Sequence, residues 1–219
     1  MPKTLPNIEY SSQEGELYKE NPVVDSSNSN YMIPMYKDID YFSNIESYQN
    51  FIKGCERLVR NNDRYKKYIY YLKNVVGLTH CQVLSDIEPD DQGKIEIEMH
   101  HGPIFTLYDY CEIILEYFIL KKWKIDTFRI ADLVLDEHQR NRIQVVMLLA
   151  SVHEQVHARN IFINYQQAWG DLNAFIRKYG VAMNDMHKEK LNKYIDRSMM
   201  YDSNDFGIFK LNDTLMNLQ

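Results

Sequence analysis

The stretch Lys94-Ile95-Glu96-Ile97-Glu98-Met99-His100-His101-Gly102 decides how the chain is read, together with Ser151-Val152-His153-Glu154-Gln155-Val156-His157-Ala158. In the first, apolar and polar residues alternate up to a histidine pair, a period of two that spells a strand. In the second, His153 and His157 stand four apart, on one face of a helix. Residues spaced i and i+4 on a helix lie about 6 Å apart, close enough for two neutral imidazoles to share one divalent ion. With seven histidines in 219 positions, about 0.2 pairs at any one spacing arise by chance. The two pairs together therefore weigh more than either alone, although a single helix histidine is more often a hydrogen-bonded, partly buried side chain.

The flanks extend this reading. His80 to Ile87 and Lys94 to Met99 enclose Glu88-Pro89-Asp90-Asp91-Gln92-Gly93, a turn-rich centre that predicts a β-hairpin. Asn141-Arg142-Ile143-Gln144 is a polar corner, and Val145 to Leu149 a short apolar strand running straight into the helix of His153 and His157. The order is strand, His-His, Asn, strand, then helix with His-x-x-x-His.

That order resembles the HNH (ββα-metal) nucleases, a family common in bacteriophages, and most nearly the group with adjacent histidines and a His-x-x-x-His helix. The resemblance implies a ββα-metal unit in which His100, His153 and His157 ligate one divalent ion (Mg, Mn, Ni or Zn), His101 is the general base and Asn141 orients it. It also implies hydrolysis of phosphodiester bonds, with nucleic acid, DNA in the first instance, as partner. A histidine titrating near neutrality suits activation of water, and a metal with open positions suits the leaving oxygen. Strand alternation places Glu98 on the same face as His100, as a partner behind the ligands, and Arg140, Arg142 and Arg159 flank the site as candidate phosphate contacts. His138, within Glu137-His138-Gln139-Arg140, reads first as part of a solvated helix end.

The rest of the chain reads as scaffold. Residues 1–35 lack periodicity and hold Pro2, Pro6, Pro22, Pro34 and Ser26-Ser27-Asn28-Ser29-Asn30, the composition of an extended arm. Ser43 or Asn44 caps a helix bearing Ile45, Tyr48, Phe51, Ile52, Cys55, Leu58 and Val59. A second helix runs from Arg64 to Val76 and stops at Gly77. Thr106 with Asp109 opens an apolar helix ending near Lys121, and another spans roughly Asp126 to His138. Two more follow, Ala168 to Tyr179 and Asn184 to about Tyr201. The expected organisation is an α+β fold, mostly helical with a small hairpin or strand pair. It comprises an arm over 1–35 and one globular domain over 36–219. Within the domain, an HNH-like core covers about 80–162, a helical insertion covers 103–138, and C-terminal helices cover 166–201.

Composition bounds the function. Net charge is −6, which counts against a non-specific nucleic-acid coat. Only three cysteines occur, so neither a disulfide framework nor a cysteine zinc ribbon is expected. No apolar run reaches the ~20 residues of a membrane span, and Met1 to Pro6 has no signal-peptide core, so a cytoplasmic protein without membrane contact is expected. No Gly-rich phosphate loop and no Gly-x-Ser-x-Gly elbow is present. Two readings follow: a metal-dependent nuclease, or a non-catalytic phage accessory or structural protein that docks on a protein or nucleic acid through its arm. The acidic balance, the arm and the long insertion support the second.

Overall fold

The computed structural model describes residues 36–84, 96–158 and 160–199. The arm, the expected hairpin turn and Arg159 lie outside them. From Asp38 onward the described residues belong to one compact unit, an α+β fold with seven α-helices and one two-stranded sheet among those residues.

Local chemistry sets the helix ends. Helix α1 (Ile45–Asn61) starts where Asn44 Oδ1 accepts from the Ser47 N–H at 2.9 Å. Asn62 caps α2 (Asp63–Tyr71), which continues through a wide π turn, Leu72–Val76, to a left-handed Gly77 at φ 85°. Thr106 and Asp109 form a reciprocal capping box on α3 (Leu107–Leu120), and Asp126 caps α4 (Thr127–Gln139).

Helix α3 is apolar nearly all round. Tyr110, Cys111, Ile113, Ile114 and Leu115 are wholly buried, as in a helix enclosed by others. It packs in one cluster with Phe51, Ile52 and Cys55 of α1, Ile130 and Val134 of α4, and Phe175 and Tyr179 of α6 (Leu172–Tyr179). Residues 103–138 thus supply a large part of the core. The last described helix, α7 (Asp185–Met199), adds Leu191 and Ile195.

The sheet departs from the hairpin expectation. Strand β1 (Ile97–His101) pairs antiparallel with β2 (Val145–Leu149), with Ile97 opposite Leu149 and His101 opposite Val145. Of the segment expected to partner β1, Gln82 to Leu84 form bends, and Ser85 to Ile87 lie outside the described residues. Strand β2 is buried almost throughout, so its backbone needs partners on both edges. On the edge away from β1, Val145 exchanges two backbone hydrogen bonds with Trp169, each 2.8 Å. Met147 O accepts from Gln82 N at 2.9 Å, while Met147 N donates to Gln82 Oε1 at 2.7 Å.

Helix α5 (Ala150–His157) follows β2 without a break. Cys55, Cys81 and Cys111 are buried free thiols. Among the described residues no helix is long and apolar enough to cross a membrane.

Candidate functional site

Three of the four histidines in the opening clusters converge. Antiparallel pairing of β1 with β2 sets His100 opposite Val146, and α5 turns back so that His153 and His157 face that strand. The His100 ring centroid lies 4.8 Å from that of His153 and 5.1 Å from that of His157, both edge-on. One ring nitrogen from each residue lies within 4.8 Å of the others, and His153 Nε2 is 2.9 Å from His157 Nε2.

Glu98, two residues before His100 on the same face of β1, places Oε2 2.5 Å from His153 Nδ1. A carboxylate accepts, so His153 carries its proton on Nδ1 and turns a lone pair on Nε2 toward the other rings. Burial, reinforced by the neighbouring His153 and His157, holds the His100 pKa down to about 4. The imidazole that faces the cluster is therefore neutral, the form in which it can ligate a metal ion. His100 and His157 also line an open cleft of about 430 Å³, bordered by Lys190, Tyr194 and Arg197.

His101 belongs to a different environment. Successive residues of a strand point to opposite faces, and His101 turns into the helical core, stacked on Tyr65 at 5.8 Å between ring centroids. Its Nε2 lies 2.9 Å from His138 Nε2. His138 donates from Nδ1 to the Val134 carbonyl at 2.8 Å, leaving His138 Nε2 as acceptor and His101 Nε2–H as donor. Burial lowers the pKa of both, His138 to about 4. His101 also borders the cleft lined by His100 and His157, while its Nε2–H is committed to His138 inside the core.

Asn141 does not orient His101. It sits at φ 52°, just past the end of α4, with its N–H bonded to His138 O at 2.8 Å and its Oδ1 accepting from Trp169 Nε1 at 3.3 Å. This is a turn residue in the left-handed conformation that asparagine tolerates. Arg142 reaches Glu137 Oε2 at 3.3 Å, so its charge is engaged away from the cluster, while Arg140 is exposed at the end of α4.

Only Gln139 and Arg140 of the expected solvated end of α4 are exposed, whereas Glu137 and His138 are both at 0% exposure. Glu137 accepts from Lys178 Nζ at 2.6 Å and Tyr179 OH at 2.8 Å. A second polar constellation also escaped the sequence reading: Asp109 and Glu112 on α3 with His187 on α7. His187 Nε2 is 3.1 Å from Glu112 Oε2, and Lys190 Nζ is 2.5 Å from Asp109 Oδ2. Glu112 also accepts from Tyr48 OH at 3.1 Å, and Asp109 from the Thr106 backbone at 2.6 Å. These carboxylates serve as a clasp between α3 and α7. The i, i+3 spacing of Asp109 and Glu112 was the only sequence signal for it.

No curated protein and no solved structure matches this chain. A family profile described as bacteriophage G278-like virion protein matches residues 5–216. That match overturns three expectations: membership of the HNH nucleases, the hydrolase activity drawn from it, and a place in the cytoplasm rather than in a phage particle. A ββα order carried by a few histidines is a short local pattern, whereas the virion-protein profile runs through core, strands and C-terminal helices alike. The chain belongs to the bacteriophage G278-like virion protein family.

Proposed function

We propose that the protein is a non-catalytic structural component of the phage particle that docks on a neighbouring virion protein through residues 1–35. The observation that carries the non-catalytic reading is the match of residues 5–216 to a virion-protein family. The asparagine expected to orient His101 is instead a turn residue bonded to Trp169, which agrees with that reading. The proline- and serine-rich composition of residues 1–35 suits an arm that docks on a partner.

Mass spectrometry of particles purified through a gradient and washed in high salt tests the reading. The chain is expected at a fixed ratio to the major coat protein. A chain lacking residues 1–35 should fold, with unchanged circular dichroism, yet be missing from particles. Presence in infected-cell lysate with absence from washed particles would overturn the structural role. Plasmid DNA incubated with wild type and His101→Ala in several divalent metals is expected to stay intact in both. Metal-dependent nicking lost in His101→Ala would overturn the non-catalytic reading.

A further inference from the structure

We propose that His100, His153 and His157 bind one divalent transition ion of the zinc class, pinning α5 to the end of β1. The cluster combines features that hydrogen bonding alone does not require. It draws ligands from two elements, a strand and the helix that follows its partner strand, with nitrogens all within 4.8 Å. A tetrahedral ion with bonds of about 2.0–2.1 Å separates its ligand atoms by roughly 3.3 Å, inside that spread. The Glu98–His153 contact of 2.5 Å is the carboxylate–histidine arrangement that fixes the tautomer and strengthens the ligand. Gly102 keeps the flank of the site clear, since a Cβ there would stand 3.0 Å from His100 Nε2.

The donor set selects the ion. Three imidazole nitrogens suit zinc, cobalt or nickel, whereas magnesium and calcium require oxygen ligands. The cleft walled by His100 and His157 gives the ion a way in and gives water access to a fourth position. The fold also has a use for such a staple. Helix α5 has eight residues, buries only Val152 and has no side-chain cap at its start. A helix that short does not stand by itself, so its position depends on anchors such as the Glu98–His153 bond. This inference is independent of the role proposed in the particle.

The test uses the full chain, stripped with chelator and titrated with cobalt(II), then zinc. Wild type is expected to take one equivalent of cobalt with the visible absorption of a tetrahedral site, to lose that absorption when zinc displaces it, and to melt at a higher temperature with zinc. His157 is exposed, so His157→Ala leaves the core untouched, with circular dichroism as the check, and should bind more than 10-fold more weakly without a thermal shift. Glu98→Gln should lose about 10- to 100-fold in affinity while keeping the stoichiometry. Absence of saturable binding by folded wild type would overturn the proposal, leaving a Glu98–His153–His157 hydrogen-bond chain. Equal affinity in wild type and His157→Ala would overturn it by assigning the ion elsewhere.

Discussion

The Nε2 atoms of His101 and His138 lie 2.9 Å apart, in a pocket where the His138 ring meets Tyr65 and Tyr68 edge-on at 5.5 and 5.3 Å. Both rings are neutral there. Burial lowers the His138 pKa from 6.5 to about 4, so folding is linked to keeping the proton off. A depressed histidine pKa gives stability that is fully present above the unfolded value and lost as pH falls through 6.5 toward the folded value. The full loss is on the order of 3 kcal/mol. The urea midpoint should therefore be flat from pH 8 to 7 and fall steadily between pH 6.5 and 4.5. His138→Gln should start less stable at pH 7 but show a shallower slope in that window. Equal slopes for the two proteins would sink the assignment.

Glu137 is the buried hub between α4 and α6, wholly enclosed and bonded to Lys178, Tyr179 and Arg142. Lys178 and Arg142 each keep about a third of their side chains in solvent, which lessens what either ion pair contributes. The carboxylate has no such outlet, so the asymmetry is testable. Glu137→Ala should cost about 3–5 kcal/mol, because it strands two cations and a hydroxyl around an unfilled space. Lys178→Met should cost only about 1 kcal/mol, since two partners remain for Glu137. Chemical denaturation of both variants decides it: a larger loss for Lys178→Met would mean that the lysine, and not the carboxylate, holds the hub.

What could be read from the sequence was what closes within a few residues. The Asn44 cap and the Thr106–Asp109 box each join groups three residues apart, and the first four helices start within a residue or two of the expected positions. The triad was legible for a similar reason, since helical i, i+4 spacing and strand alternation put His153 with His157 and Glu98 with His100 before any tertiary contact. The pairing of β1 with β2 was carried only by the ββα resemblance and not by any local signal. The turn residues from Glu88 to Gly93 argued for a local hairpin, whereas the doubly buried β2, more than forty residues on, is the partner found. Burial of Glu137 and His138 was hidden too, because their charged neighbours mimic a solvated helix end, and the tyrosines and the lysine that enclose them come from α2 and α6. The family reading went further astray, since a short motif was taken for a whole family.

Gly170 explains why α6 starts at Leu172 rather than at Ala168. It adopts φ 121°, a region that side chains disfavour, and a Cβ there would stand 2.9 Å from the carbonyl carbon of Ile143 and collide with its oxygen. Both obstacles are backbone and neither can swing aside, so Gly170→Ala should cost roughly 2–4 kcal/mol. For a unit of this size that is a fall of about 5–15 °C in Tm. Gly77 is the control, because it also has a positive φ, of 85°, but nothing within 4 Å of a Cβ. Gly77→Ala should cost only about 1 kcal/mol from backbone strain. Thermal unfolding with equal losses at the two glycines would refute the steric account.

Gln82 gives the most local test of how β2 is held. Its backbone N–H donates to Met147 O, its side-chain Oε1 accepts from Met147 N at 2.7 Å, and its Nε2 donates to Gln167 O at 2.8 Å. A single residue thus stands in for a third strand at the centre of β2 and ties that edge to the turn before Trp169. In Gln82→Ala the Met147 N–H, beside a wholly buried side chain, loses its acceptor, at a cost of about 1–3 kcal/mol. Gln82→Glu keeps the acceptor but loses the donor to Gln167, so it should protect Met147 better than alanine does. Hydrogen exchange reads this residue by residue: the Met147 amide should exchange faster in Gln82→Ala by more than the global loss of stability accounts for, while Val145, held by Trp169, should follow the global change. If Met147 stayed as protected as Val145 in Gln82→Ala, some other group would be capping the strand, and the third-strand role of Gln82 would fall.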